Sequence, residues 1–471
     1  MKKISKIILS LCLVVCCLFT AVGLTGCGKS KLSATSASTD GVSSNGGSVV
    51  TAGGYMYFIN GIVANDGSTN TASGNTIGGL YRTKLNSEGK VDLNDDGTLK
   101  SSERLISSVV GFEDGQIFVF GDFVYYTTPN AGKNSKAETL YNQTVFMRYD
   151  LKTKQTQKLF TTSQNNSSET LQYTYMAKGD ALYLVVYEKS QTKITSIKID
   201  TNVSVKVIAT DAQSVVFGEN NGKAKGLTHG SKAEEFIYFT RSALETGTIR
   251  TGVRVYKAYP DGSNETKISE GKTVSLLAVV SDKLVYSLDK TTIYAQSITA
   301  GDETLAFETN QIISNVVYDT VKFLEESDGA ISLLVFDNKK TIRYIKITGG
   351  VVPQESDVDE SGVLINNALY TYTSTKSKFE FIGTSADEVV FTDDGIAYKM
   401  KFRAKTSDII SPLQLTSTKV DSSKGMVVPE ILGENLYFMY TKNNKTMIYR
   451  TSLNRAADAE LKEATLFGTS K

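Results

Sequence analysis

Residues 91–103 read VDLNDDGTLKSSE, and their types and spacing match an oxygen-lined calcium loop. Asp92, Asn94 and Asp96 alternate, so three side-chain oxygens can converge on one point. Gly97 permits a sharp turn, Thr98 can offer its backbone carbonyl, and Glu103 can add two carboxylate oxygens. Calcium takes about six to eight such hard donors. A cation held here would be structural, stiffening one loop. Two features pull the other way. Lys100 stands where a water-bridging oxygen is common. The flanks Leu80-Tyr81-Arg82 and Arg104-Leu105-Ile106 read as strands, so the loop is an insertion between strands rather than part of a helix pair. An acidic hairpin turning at Asp96-Gly97 uses the same residues.

Other chemistry is thinly supplied. His229 is the only histidine, so no histidine pair can hold zinc, and a Ser–His–Asp arrangement would rest on this one residue. Gly218 to Lys223 is one residue short of a phosphate-cradling loop and lacks the Ser or Thr after its lysine. Carboxylates could hydrolyse a glycoside if two stood about 5 to 10 Å apart. Asp393-Asp394, Glu325-Glu326, Asp357 and Asp359 are available, but they lie beside Gly or Ser, where solvated turns use them. The chain therefore reads as non-catalytic, with a carbohydrate-active enzyme as the alternative.

The first residues carry an address. Lys2, Lys3 and Lys6 precede an uncharged apolar run from Ile7 to Val22, and small residues follow: a secretory signal. Leu24-Thr25-Gly26-Cys27 resembles the lipobox of bacterial lipoproteins. The resemblance implies cleavage after residue 26, a diacylglycerol and palmitate-type acylation on Cys27, and a position on the extracytoplasmic face of the cell membrane. The four cysteines are Cys12, Cys16, Cys17 and Cys27, so the cleaved chain would have no free thiol and no disulfide. Residues 27–48 are rich in Ser, Thr and Gly and read as a flexible tether. The packed domain is expected from Val49 to residue 471.

The elements that must position everything else are strands. The chain has 24 Tyr, 20 Phe, 38 Gly, 5 Pro and no Trp, a composition of short β-strands separated by turns. With 51 basic and 50 acidic residues, it has no charge excess for nucleic acid. Turn residues followed by an apolar strand with a placed aromatic recur as Gly54-Tyr55-Met56-Tyr57-Phe58, Gly121-Asp122-Phe123-Val124-Tyr125-Tyr126 and Gly179-Asp180-Ala181-Leu182-Tyr183. They recur again as Glu235-Phe236-Ile237-Tyr238-Phe239, Asp282-Lys283-Leu284-Val285-Tyr286, Asn367-Ala368-Leu369-Tyr370 and Glu434-Asn435-Leu436-Tyr437-Phe438. A second strand follows each, such as GLYRTKLN or TMIYRTSLN. Four antiparallel strands per unit, repeated along the chain, predict an all-β propeller of about eight blades, with seven as the alternative. Ile312 to Asn367 is the ambiguous stretch. Phe123-Val124-Tyr125-Tyr126, apolar throughout, suits a strand covered on both faces. Leu171-Gln172-Tyr173-Thr174-Tyr175 alternates like an outer strand. The tyrosines recur in phase with the repeat, which assigns them to packing rather than to sugar stacking. Ser48-Val49-Val50-Thr51 stands alone before the first unit, and the last unit shows only three clear strands. An N-terminal strand completing the last blade would close the ring.

GGYMYFIN…GGLYRTKLNSEG and VYKAYPDGSNETKI resemble bacterial surface propellers related to the YWTD propellers of lipoprotein receptors. This chain, lacking tryptophan, has no YWTD tetrad, and no functional residue carries over. The resemblance implies the fold and an extracellular binding or scaffold role toward a protein or glycan.

Overall fold

Burial on both faces explains the unbroken apolar strands. In the computed structural model, Phe123, Val124 and Tyr125 have no solvent exposure, and Leu182, Leu184, Val185 and Val186 of the next unit are equally buried. The structure describes residues 33–468 apart from 34, 36, 39–40, 43, 62–78, 107–109, 111–115, 133–134, 137–139, 141–142, 164–170, 219–231, 246–248, 270–272, 281, 299–303, 327–329, 337–340, 348–349, 372–378, 406–410, 421–428, 443–444, 457–459 and 462–463. Cys27 and its leader, His229, and Glu219 to Lys223 of the phosphate-loop candidate lie outside the described residues.

The described residues form eight sheets, the four-stranded antiparallel blades of a β-propeller, one of them extended by a short parallel fifth strand. Blade 1 consists of β1 (Val49–Ala52), β2 (Tyr55–Asn60), β3 (Gly79–Lys84) and β4 (Glu103–Ile106), hydrogen-bonded in that order. Blades 2 to 8 follow at residues 118–161, 171–209, 212–267, 275–314, 320–371, 379–414 and 430–466. First strands of neighbouring blades touch: Ala212–Phe217 meets Ser275–Val280, and Phe379–Ser385 meets Glu430–Leu432. The first strands are therefore innermost. Burial falls toward the outer strands, as in Ser204–Ala209, whose first four residues are exposed.

Apolar clusters link the blades in turn. Phe118, Tyr125, Tyr175 and Leu184 join blade 2 to blade 3, and Val185, Tyr187, Phe239 and Ala258 join blade 3 to blade 4. The same pattern continues to blade 8. The remaining cluster holds Tyr57 and Phe58 of blade 1 together with Val124 of blade 2 and Tyr437, Ile448 and Phe467 of blade 8, so it closes the ring. Each fully buried aromatic contributes about 1.5–3 kcal/mol.

The closure differs from the expected one. Val49–Ala52 pairs with β2 inside blade 1, in the register Val49↔Phe58 to Ala52↔Tyr55, and does not complete blade 8. Blade 8 already has four strands of its own, the last being the short Thr465–Leu466. The seam is sealed by packing and hydrogen bonds. Phe467 lies edge-on to Phe58 at 5.4 Å and to Tyr437 at 5.0 Å. The Ile448 amide donates to Asn60 Oδ1 at 3.1 Å. β1 still lies at the seam, against Glu430–Leu432.

Packing is also present before Val49, among the described residues of the segment read as a tether. Asn45 is buried and pairs with the inner edge of blade 2: its Nδ2 donates to the Val119 carbonyl and its Oδ1 accepts from the Val119 amide. Gly47 bridges Ile117, and the Gly121 amide donates to the Ser38 carbonyl. The described residues between Ser33 and Ser48 thus form a strap along blades 1 and 2. A Ser/Gly-rich composition signals flexibility only where no edge of a sheet is free to bind the backbone.

The ambiguous stretch resolves into blade 6. Thr320–Glu325 and Ile331–Phe336 are its first and second strands, and Asn366–Thr371, expected to be an aromatic strand that a second strand follows, is its outer strand. The corresponding second strand of blade 7 is Glu388–Asp393. Between the third and fourth strands of blade 6 the chain makes an excursion. Gly350–Val351 pairs in parallel with the outer strand of blade 5, and Val363 bridges Lys405 beyond the third strand of blade 7. This insertion fastens three blades. Leu171–Lys178, alternating at its start, is the innermost strand of blade 3 rather than an outer one.

Candidate functional site

The acidic loop is a hydrogen-bonded hairpin. Leu85 bridges Val91 and Leu93 bridges Leu99, and the Lys100 amide donates to the Asp92 carbonyl. At the tip the Asn94 amide donates to the Thr98 carbonyl, the very group a cation would take. Asp96 Oδ1 accepts from the Thr98 hydroxyl at 2.6 Å and the Thr98 amide at 3.0 Å, which holds its carboxyl below the ordinary value. Asn94 turns its Nδ2 toward Thr98 Oγ1. Asp92 Oδ1 accepts from Asn86, and Glu103, on β4, receives Arg82 from β3 at 2.7 Å. Among the described residues no three His, Cys, Asp or Glu side chains are grouped as metal ligands. Asp92, Asp96, Glu103 and the Thr98 carbonyl thus each face a partner within the chain.

The loop also serves the seam. Leu99 is buried in the closing cluster, and its amide donates to the Phe467 carbonyl at 3.1 Å. Gly97, at φ +82, presses on Thr465, and a Cβ there would collide with Thr465 Cγ2. The glycine is needed for a left-handed turn and for close approach.

The acidic residues considered for hydrolysis are dispersed over blades 6 and 7. Glu326 binds Arg403 at 2.8 Å and accepts from the Tyr344 hydroxyl. Asp359 binds Lys346, Asp394 binds Lys419, Asp393 accepts from Tyr370, and Asp357 accepts from the Gln354 amide. Glu325 is exposed at the end of its strand. One arrangement that the sequence did not announce has the residue types of a nucleophile and base. Ser163 Oγ lies 2.7 Å from Lys193 Nζ, and Lys193 pairs with the buried Glu188 at 2.9 Å. Lys193 donates to both neighbours, whereas a general base must accept the hydroxyl proton. The cluster is a buried ion pair capped by serine. Tyrosines in phase with the repeat are packing groups among the described residues. Tyr57, Tyr81, Tyr125, Tyr126 and Tyr238 are buried, and desolvation raises the hydroxyl of Tyr286 to about 12.

A cleft of about 510 Å³ opens at the outer end of blade 8, beside the seam. Asn435 and Ser452 are cross-strand partners at its base, with Arg450 and Thr451 next to them. Thr465 forms one side, and Asn454, Arg455, Ala456 and Glu460 contribute another. Blade 7 supplies Leu415. The Thr451 hydroxyl donates to the Leu415 carbonyl at 3.2 Å, and Arg455 Nη1 donates to the Gln414 carbonyl at 2.9 Å, so the floor is tied across the blade boundary. Sequence reading passed over these residues because they fall on no known motif and come from two blades.

No family model matches the chain, and no curated protein matches it. Solved structures do show likeness. Dipeptidyl peptidase 4 of Porphyromonas gingivalis is 10% identical over 92% of this chain and 59% of its own, with a TM-score of 0.40. A prolyl endopeptidase is 9% identical over 74% of this chain and 49% of its own, also at 0.40. This chain thus spans only about half to three fifths of those two peptidases. BamB of Moraxella catarrhalis is 10% identical over 91% of this chain and 98% of its own, at 0.37. Values this low assign neither activity nor partner.

Proposed function

We propose that this chain is a lipid-anchored propeller on the extracytoplasmic face of the cell membrane that binds a protein or a glycan and performs no chemistry of its own. The observation that supports the binding reading most directly is the engagement of the candidate acid–base groups. Glu326, Asp359, Asp393 and Asp394 each hold a cation or hydroxyl of their own blade or a neighbouring one, rather than facing one another across a substrate-sized gap. The leader and Leu24-Thr25-Gly26-Cys27 carry the address. Among the described residues no helix is long and apolar enough to cross the membrane. If Cys27 is lipidated, the five residues between it and Ser33 span at most about 20 Å, so the strap holds blade 2 close to the bilayer rather than on a long leash.

In-situ cross-linking on intact cells, with the tagged chain as bait, tests the binding role. A protein enriched reproducibly over an unrelated lipoprotein control supports a scaffold. Release of reducing sugar by the purified chain, with no partner captured, would replace this reading with the glycosidase one. Mass spectrometry of the N-terminal peptide tests the anchor, and an unmodified Cys27 would remove it.

A further inference from the structure

We infer that the lipid bilayer lies against one end of the blades, the end that carries the turns at Gly121-Asp122 and at Asp150 to Gln155, with blade 2 nearest to it. This deepens the function proposed above and rests on its lipid anchor. Strand order defines the ends. In blade 2 the chain turns at Gly121-Asp122 into Phe123–Pro129, leaves that strand at the opposite end, returns along Thr144–Asp150 and turns again beside the first turn. The two turns are joined. The Leu151 amide donates to the Asp122 carbonyl at 2.9 Å, and Lys152 Nζ reaches Asp122 Oδ2 at 2.6 Å. The other blades share the antiparallel order, so the connection between second and third strands lies at the far end of each.

The chain enters at the near end. The Ser33 amide donates to Asp150 Oδ2 at 2.7 Å, and the Gly121 amide donates to the Ser38 carbonyl at 2.9 Å. Asn45 at Val119 and Gly47 at Ile117 then follow the inner edge of blade 2 toward the far end. Cys27 lies six residues before Ser33. That span reaches at most about 20 Å. Thr144–Asp150 has seven residues and is itself about 23 Å long, before the connection at residues 130–143 is counted. The span from Ser33 is therefore too short to pass the blade and meet a bilayer at the far end. Lys29 and Lys31 lie within it, the sign of charge that lipid phosphates attract. The far end carries the exposed Ala131 in blade 2 and the exposed Lys189 and Ser190 in blade 3. These tips point away from the membrane, where a protein or glycan outside the cell reaches them first.

Fluorescence quenching on the lipidated chain tests the orientation, in phosphatidylcholine vesicles containing a lipid with a nitroxide on its headgroup. Once the leader is removed and Cys27 acylated, the chain has no free thiol, so one introduced cysteine takes the dye. Lys152→Cys reports the near end of blade 2 and Ala131→Cys its far end, and both positions are exposed. Each should leave the melting temperature unchanged, since an exposed ion pair contributes little and Ala131 is in solvent. The dye on Lys152→Cys should lose most of its emission in these vesicles, and the dye on Ala131→Cys should lose none. Equal quenching would put the rim of blade 2 on the bilayer. Stronger quenching of Ala131→Cys would turn the propeller over, and no quenching of either would hold it off the surface. Each of these results overturns the orientation. Mass spectrometry of the same sample separates it from the anchor. An unmodified Cys27 removes both readings, whereas an acylated Cys27 with any of those results removes the orientation alone.

Discussion

Ala386 occupies a position that glycine holds in other blades. The two-residue turn between first and second strands is Gly121-Asp122 in blade 2, Gly179-Asp180 in blade 3 and Gly433-Glu434 in blade 8, each glycine having φ between 54 and 57°. Blade 7 uses Ala386-Asp387 with Ala386 at φ 49°. A side chain in the left-handed region costs about 1–2 kcal/mol, partly offset by the greater freedom of an unfolded glycine. Ala386→Gly should therefore raise stability by about 0.5–1 kcal/mol in urea titration. At the acidic loop, the engagement of Asp96 with Thr98 and of Glu103 with Arg82 implies that calcium and a chelator give the same melting temperature. A calcium-dependent rise that Glu103→Ala abolishes would show that the loop can reorganise around a cation. The cation-loop spelling was legible in the sequence. The partners that consume its oxygens were not, because Arg82 lies on the adjacent strand and Thr98 satisfies Asp96 only in the folded turn.

At the scale of elements, the strap from Ser33 to Ser48 is held at its start by Asp150. Burial raises the carboxyl of Asp150, but hydrogen bonds from the amides of Ser33, Thr153 and Lys152 outweigh it and bring it down to about 2. An unfolded aspartate titrates near ~3.9. The folded value is depressed, so the stabilisation is complete above about pH 4 and is lost as pH falls toward 2. Asp150→Asn should flatten that acid limb, cost about 2 kcal/mol at neutral pH, and speed proteolysis between residues 33 and 48. Arg148, fully buried beneath the strap, donates to Thr35 Oγ1 and to the Asp200 carbonyl and lies 4.4 Å over the Phe123 ring. The strap therefore also caps a cation between blades 2 and 3.

For the whole molecule, stability depends on the one boundary where sequence neighbours do not meet. Seven blade contacts join consecutive units, but the eighth joins residues near 60 to residues near 450 through Asn60, Leu99, Ile448 and Phe467. Phe467→Ala should cost about 3–5 kcal/mol and Leu99→Ala about 2–5 kcal/mol. The double mutant should lose less than the sum, because both side chains serve one cluster. A double-mutant cycle in urea measures this, and strict additivity would mean that the latch and the last strand act independently.

The sequence by itself determined the all-β class, a blade number near eight and the packing role of the tyrosines. Burial on two faces writes a continuous apolar run into each second strand, and tight turns write Gly-Asp or Gly-Glu before it. These signals are local and survive without a partner. Only the tertiary structure decided that β1 belongs to its own blade, that the acidic loop latches the seam, that the segment before Val49 is a strap, and that Arg450 lies in a cleft made by two blades. Each of those depends on which edge or side chain arrives from elsewhere. The Asn60–Ile448 bond, 388 residues apart in sequence, leaves no periodicity in the sequence around either end.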